Sequence, residues 1–109
     1  MKRLLLSLLL AGLYFIVWAQ TPISEVQGRQ DKSPLEGQSV TITGIVTGVS
    51  SENGYFVQDG NASWTGVYVY DPSRNPMPIV GDSVILTGTV AEYYDLTEIK
   101  TITSFQILG

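Results

Sequence analysis

Tyr68 and Tyr70 stand two residues apart in "GVYVYD", alternating with Val67 and Val69. In an extended strand that spacing puts both rings on one face and both valines on the other. Phe56 and Gln58 alternate with Tyr55 and Val57 in the same way within "GYFVQDG". Rings displayed side by side on a sheet can stack on planar groups, above all nucleobases, at about 1–3 kcal/mol per base. The same rings, set across neighbouring strands, also stabilise a sheet with no ligand at all. Residue types alone leave both readings open. Trp64, in the turn before Gly66, is either a stacking platform at a rim or a lid on the end of a core. Tyr93 and Tyr94 form a second aromatic pair, of which one is expected to pack inward. Arg74 and Lys100 are placed to meet a phosphate, or are solvated surface charges.

The rest of the chemistry is defined by absences. The chain has no cysteine and no histidine. Disulfides, thiolate nucleophiles and zinc–sulfur sites are therefore excluded, and the commonest general base is missing. Asp59, Asn61 and Asp71 have the donor types for a loop-bound calcium ion. "DGNASWTG" lacks the alternating acids and closing glutamate of an EF-hand loop, and aspartates at strand–turn junctions ordinarily cap turns. Glu92 and Glu98 flank the last turn, but nothing in their spacing requires a working carboxylate pair. No catalytic residue, metal ligand or cofactor is expected.

These residues sit in a small acidic chain of 109 residues. Lys2 and Arg3 precede an apolar run from Leu4 to Ala19, which ends in Val17-Trp18-Ala19. That is the three-part pattern of a secretory signal peptide. The run is short for a membrane span of about 20 residues. Residues 1–19 are read as a signal peptide cleaved after Ala19, and the product as exported, secreted or periplasmic, with no membrane association in its mature form. Beyond residue 19 there are ten acids against four basic residues, Arg29, Lys32, Arg74 and Lys100, a net charge of −6. Bulk charge therefore works against binding to a phosphate backbone.

The elements that must position the rings read as strands. Residues 20–36 form a polar lead-in, with a short edge strand expected at Ile23–Val26. Val40–Val49, Tyr55–Asp59, Gly66–Tyr70, Ser83–Glu92 and Glu98–Leu108 follow, the last interrupted near Thr101–Thr103. Period-two alternation puts Val40, Ile42, Gly44 and Val46 on one face, and Val84, Leu86, Gly88 and Val90 on another. Asn53-Gly54 is a hairpin signal, and no segment shows a helical period. Five short strands suggest a small barrel. "PLEGQSVTITGIV" from Pro34 and "PIVGDSVILTGTV" from Pro78 match at seven identical positions. Each carries a glycine in mid-strand, which a tightly curved barrel needs for bends or close approach. The fold expected is all-β, a five-stranded Greek-key OB-fold barrel over 37–109. The two matching segments become its first and fourth strands, lying against each other.

"SPLEGQSVTITGIVTGV", "GYFVQDG", "GVYVYD" and "VGDSVILTGTVAEYYDLTEI" resemble the OB-fold module of secreted bacterial nucleases, found beside endonuclease/exonuclease/phosphatase-type catalytic domains. The resemblance runs from Ile23 to Leu108. It implies a non-catalytic accessory module that binds nucleic acid, single-stranded and with little sequence preference. OB-folds take such ligands across strands two and three and the flanking loops, which selects Phe56, Tyr68 and Tyr70 on that face, with Trp64, Arg74 and Tyr93 from turns and loops and Lys100 from strand five, as contacts. The implied partners are single-stranded nucleic acid and a catalytic nuclease domain. The alternative is a structural module that docks another exported protein and binds no nucleic acid.

Overall fold

The computed structural model describes residues 19–51 and 53–109. The signal peptide expected over residues 1–19 lies, but for Ala19, outside the described residues. Five strands close into a barrel: β1 (Ser39–Ser50), β2 (Gly54–Gln58), β3 (Gly66–Tyr70), β4 (Ser83–Tyr93) and β5 (Leu96–Ile107). Their order around the barrel is β1-β2-β3-β5-β4, with β4 returning to β1. This is the OB-fold arrangement that the strand pattern predicts. Alternation places Ile42, Val46, Val57, Val69, Val84, Leu86 and Ile99 inside, all at most 1% exposed. Each such side chain contributes roughly 1.5–3 kcal/mol of burial. The β-branched residues that fill the interior also favour the extended backbone.

The two matching segments are β1 and β4 with their lead-in turns. They pair antiparallel, and Ile42 faces Leu86, its own counterpart in the other copy. A local two-fold axis therefore passes between these two residues. Gly37 N–H donates to the Val90 carbonyl at 2.8 Å, and its counterpart Gly81 donates to the Val46 carbonyl at 2.8 Å. Both glycines have positive φ, 85° and 99°, a conformation that costs glycine little. Each copy's turn thus ties down the far end of the other copy's strand. The mid-strand glycines are also counterparts. A Cβ on Gly44 would lie 2.6 Å from the Gln58 carbonyl oxygen, and one on Gly88 2.6 Å from Ile99. Close approach of the neighbouring strand is what fixes glycine at both places.

Symmetry fails at one pair. Thr41 and Thr87 face each other and their hydroxyls meet at 2.7 Å. The counterpart pair is Thr43 and Ile85, and the Thr43 hydroxyl is buried with no partner.

Several local expectations are corrected. Ile23–Gln27 is a short helix, α1, and not an edge strand. Ile23 and Val26 are three apart and both fully buried, so one apolar face of a single turn packs on the barrel. Asp59 Oδ2 accepts from the Ile23 N–H at 2.9 Å, supplying from β2's loop the acceptor that Pro22 cannot provide at the helix start. The hairpin expected at Asn53-Gly54 is present between β1 and β2, but Gly54 already pairs with Ser50 and the positive φ falls on Ser51 and not on Asn53 or Gly54. The interruption expected in β5 is present: pairing with β4 slips between Thr87–Ser104 and Thr89–Lys100, and Thr101 has φ 53°.

Candidate functional site

β3 and β5 run parallel and pair only at Tyr68–Glu98 and Val69–Ile99 before β5 turns away at Thr101. A groove of about 550 Å³ lies over that seam, lined by Asn53, Tyr68, Tyr70, Tyr93, Leu96, Glu98 and Lys100. Asn53 comes from the β1–β2 loop, and Tyr93 and Leu96 flank the β4–β5 turn. A second hollow of about 250 Å³, reaching Pro72 and Ser73, shares Tyr70 and Lys100 with it.

Four sequence-selected residues meet here: Tyr68, Tyr70, Tyr93 and Lys100. They are not equivalent. Tyr68 is only 9% exposed. Its ring sits 4.9 Å from that of Phe56, which faces it across β2–β3. It also lies over Gly54, where a Cβ would come within 3.0 Å of it. Gly54 is thus explained by the close approach of the Val69 carbonyl and of the tyrosine above it. Tyr70 and Tyr93 are the accessible rings, 42% and 61% exposed. Both Tyr93 and Tyr94 point outward, 4.7 Å apart and edge to face, so neither packs into the core. The turn between them and β5 places Tyr94 and Asp95 at positive φ, the pattern of a two-residue hairpin turn.

Phe56 is half exposed beside the groove, on the same sheet face. Trp64 and Arg74 lie elsewhere. Trp64 is exposed with φ 69° in the turn between β2 and β3. Gly66 pairs with Gln58 at that end, and Tyr70 with Gly54 at the other. Arg74 binds Asp71 at 2.8 Å and lies 4.3 Å over the Phe105 ring. Asp71 Oδ2 also accepts from the buried Tyr55 hydroxyl at 3.0 Å. Burial, with the Asp71 carboxylate beside it, raises the Tyr55 phenol well above its ordinary value. These contacts hold Arg74 in the loop at the barrel's end.

The groove's floor holds a residue that the sequence did not single out as a contact. Glu98 is 6% exposed, facing outward between Tyr68 of β3 and Ala91 of β4. Burial raises its proton affinity; Lys100 opposes that rise and Glu92 adds to it. Glu92 pairs with Thr97 on the opposite face, accepting from Thr97 Oγ1 and the Ser33 N–H, both at 2.6 Å. The two glutamates therefore do not form a facing pair. Asp59 and Asp71 are likewise held in separate contacts, with the Ile23 N–H and with Tyr55 and Arg74. A signal for Glu98 was present in the strand alternation, since Ile99 inside forces Glu98 out.

No family model and no curated protein matches this sequence. Solved structures do resemble it. The hypothetical protein ygiW from E. coli superposes with a TM-score of 0.62 at 16% identity, covering 83% of this chain and 90% of that one. OBody AM1L10, bound to hen egg-white lysozyme, gives 0.60 at 18% identity, covering 87% and 98%. At identities this low the superpositions show a shared fold alone.

Proposed function

We propose that this chain is an exported, non-catalytic OB-fold binding module that takes a segment of a partner polypeptide into the groove over the β3–β5 seam. The observation that carries this reading is the make-up of that groove. It lies where OB-folds bind ligands, between the β2–β3 face and the loops after β1 and β4. Its walls are tyrosines and a leucine, and its floor is a buried carboxylate in an acidic chain. Amphipathic rings beside few charges characterise protein-binding surfaces. The OBody shows the same barrel form bound to a protein.

A second reading, single-stranded nucleic acid, draws on one observation: the exposed rings of Tyr70 and Tyr93 sit at the position where such ligands stack. The negative charge and the engagement of Arg74 with Asp71 weigh against it. Panning a short random-peptide library against the protein, beside a low-salt titration with labelled oligothymidylate, separates the two. The expected result is a set of peptides whose binding disappears in the Tyr70→Ala/Tyr93→Ala double variant. Oligothymidylate binding that needs those tyrosines, with no peptide recovered, would replace the polypeptide reading by the nucleic-acid one.

A further inference from the structure

Among the described residues two carboxylates are buried, Asp71 and Glu98, and only Asp71 has a visible structural task. Asp59 caps the start of α1, Asp71 holds Tyr55 and Arg74, Asp82 accepts from the Ile79 N–H, and Glu92 joins Ser33 to Thr97 through Oε1, its Oε2 being buried without a partner on the face away from the groove. Glu98 is as buried as Asp71, 6% against 7% exposed. Yet among the described residues no hydrogen bond or ion pair reaches its carboxylate, which lines the groove. A buried charge without a partner destabilises a fold. Here the charge faces the groove, among tyrosine rings.

We infer that the groove receives a basic side chain, arginine or lysine, from the partner polypeptide, with Glu98 as its counter-ion and Tyr68, Tyr70 and Tyr93 as its walls. This rests on the polypeptide reading above and names the chemistry that it recognises. An arriving guanidinium or ammonium supplies the partner that Glu98 lacks, through a charge-assisted hydrogen bond. The ring faces carry negative potential and attract the same cation. Leu96 offers apolar surface to its aliphatic stem. Lys100, two residues along β5 on the same face, is exposed and makes no ion pair with Glu98. It is a competing positive charge at the groove's edge, so its removal strengthens cation binding. Under nucleic-acid binding the same change removes a phosphate contact and weakens it.

The test uses peptides recovered by panning, which are expected to carry arginine or lysine. The arginine of the best binder is replaced by citrulline, which keeps the shape and removes the charge. Affinity for the native protein is expected to fall roughly tenfold or more. The two peptides bind equally to Glu98→Gln, whose folding is checked by thermal unfolding, and Lys100→Ala binds the arginine form a few-fold more tightly. Equal binding of both peptides to the native protein overturns the inference. So does a difference that persists in Glu98→Gln, a weakening in Lys100→Ala, or groove-binding peptides with no basic residue. Each of these leaves the polypeptide reading standing. Recovery of no groove-binding peptide overturns both.

Discussion

Between Tyr68 of β3 and Ala91 of β4, the Glu98 carboxyl holds its proton above the usual carboxylate range because burial disfavours its charge. Below the ordinary glutamate value, folded and unfolded chains are both protonated there and burial costs no charge. As pH rises through the raised folded value, the folded protein must ionise a buried group, and stability is lost. Glu98→Gln is therefore expected to melt at a higher temperature than the native protein near neutral pH, with the gap closing towards pH ~4. Thermal unfolding across that range checks it; a variant less stable at neutral pH would show that the carboxylate serves the fold. Arg74 gives the opposite case. Arg74→Ala leaves Asp71 buried with only the Tyr55 hydroxyl, and should cost about 1–3 kcal/mol in urea unfolding while leaving groove affinity unchanged. Sequence reasoning placed Arg74 and Glu98 less well than the tyrosines, for one reason. Alternation reports which face a side chain takes, and it correctly put Tyr68, Tyr70 and Phe56 outside. It does not report what else is there: Asp71 and Phe105 for Arg74, or Gly54 and the Phe56 ring against Tyr68, which is mostly covered.

At the scale of elements, the strands were legible because each alternates apolar and polar residues and ends at a turn. Even the break in β5 near Thr101 could be read. α1 could not: a five-residue helix is too short to show a period, and Ile23 and Val26 are equally consistent with a strand until the barrel provides something to pack on. The β1–β2 hairpin is legible at Asn53-Gly54, but the reason for its glycine is not: Gly54 answers to Tyr68 and the Val69 carbonyl. The mid-strand glycines were legible as places of bending or close contact, and the structure separates the essential from the tolerant. Gly44→Ala and Gly88→Ala each force a methyl to within 2.6 Å of the neighbouring strand. Each should lose about 1–3 kcal/mol. At Gly48 the added Cβ meets only Phe56, at 3.4 Å, so Gly48→Ala should keep nearly native stability. Denaturant unfolding of the three variants checks the order; a Gly48 variant as damaged as the others would contradict the close-approach account. Thr43→Val, which removes a buried hydroxyl with no partner, should gain about 1 kcal/mol.

For the molecule as a whole, the echo between the two Pro-to-Val segments was visible in the sequence, and it did identify β1 and β4. Their reciprocal arrangement needed three dimensions: counterparts face each other at Ile42–Leu86, and each turn glycine binds the other copy's strand end. That pair of strands forms one side of the barrel. The groove lies on the other half, over the two-residue seam between β3 and β5, where the weakest pairing leaves room for a ligand. The chain beyond residue 19 also carries a net charge of −6, which acts at longer range than Glu98 alone does. A negatively charged body steers basic partners towards it and repels phosphate backbones, and salt screens both effects with a Debye length near 10 Å at 0.1 M. Association of an arginine-bearing peptide should therefore slow severalfold as ionic strength rises from about 0.02 to 0.2 M, while dissociation changes little. The contribution of Glu98, made in contact and away from water, should survive the added salt. Stopped-flow measurements on the native protein and Glu98→Gln separate the two terms. The salt slopes of association should match, and the dissociation rates should differ at every ionic strength. If the dissociation difference vanishes at high salt, the cation is held by the general field of the protein and not by a carboxylate in the groove.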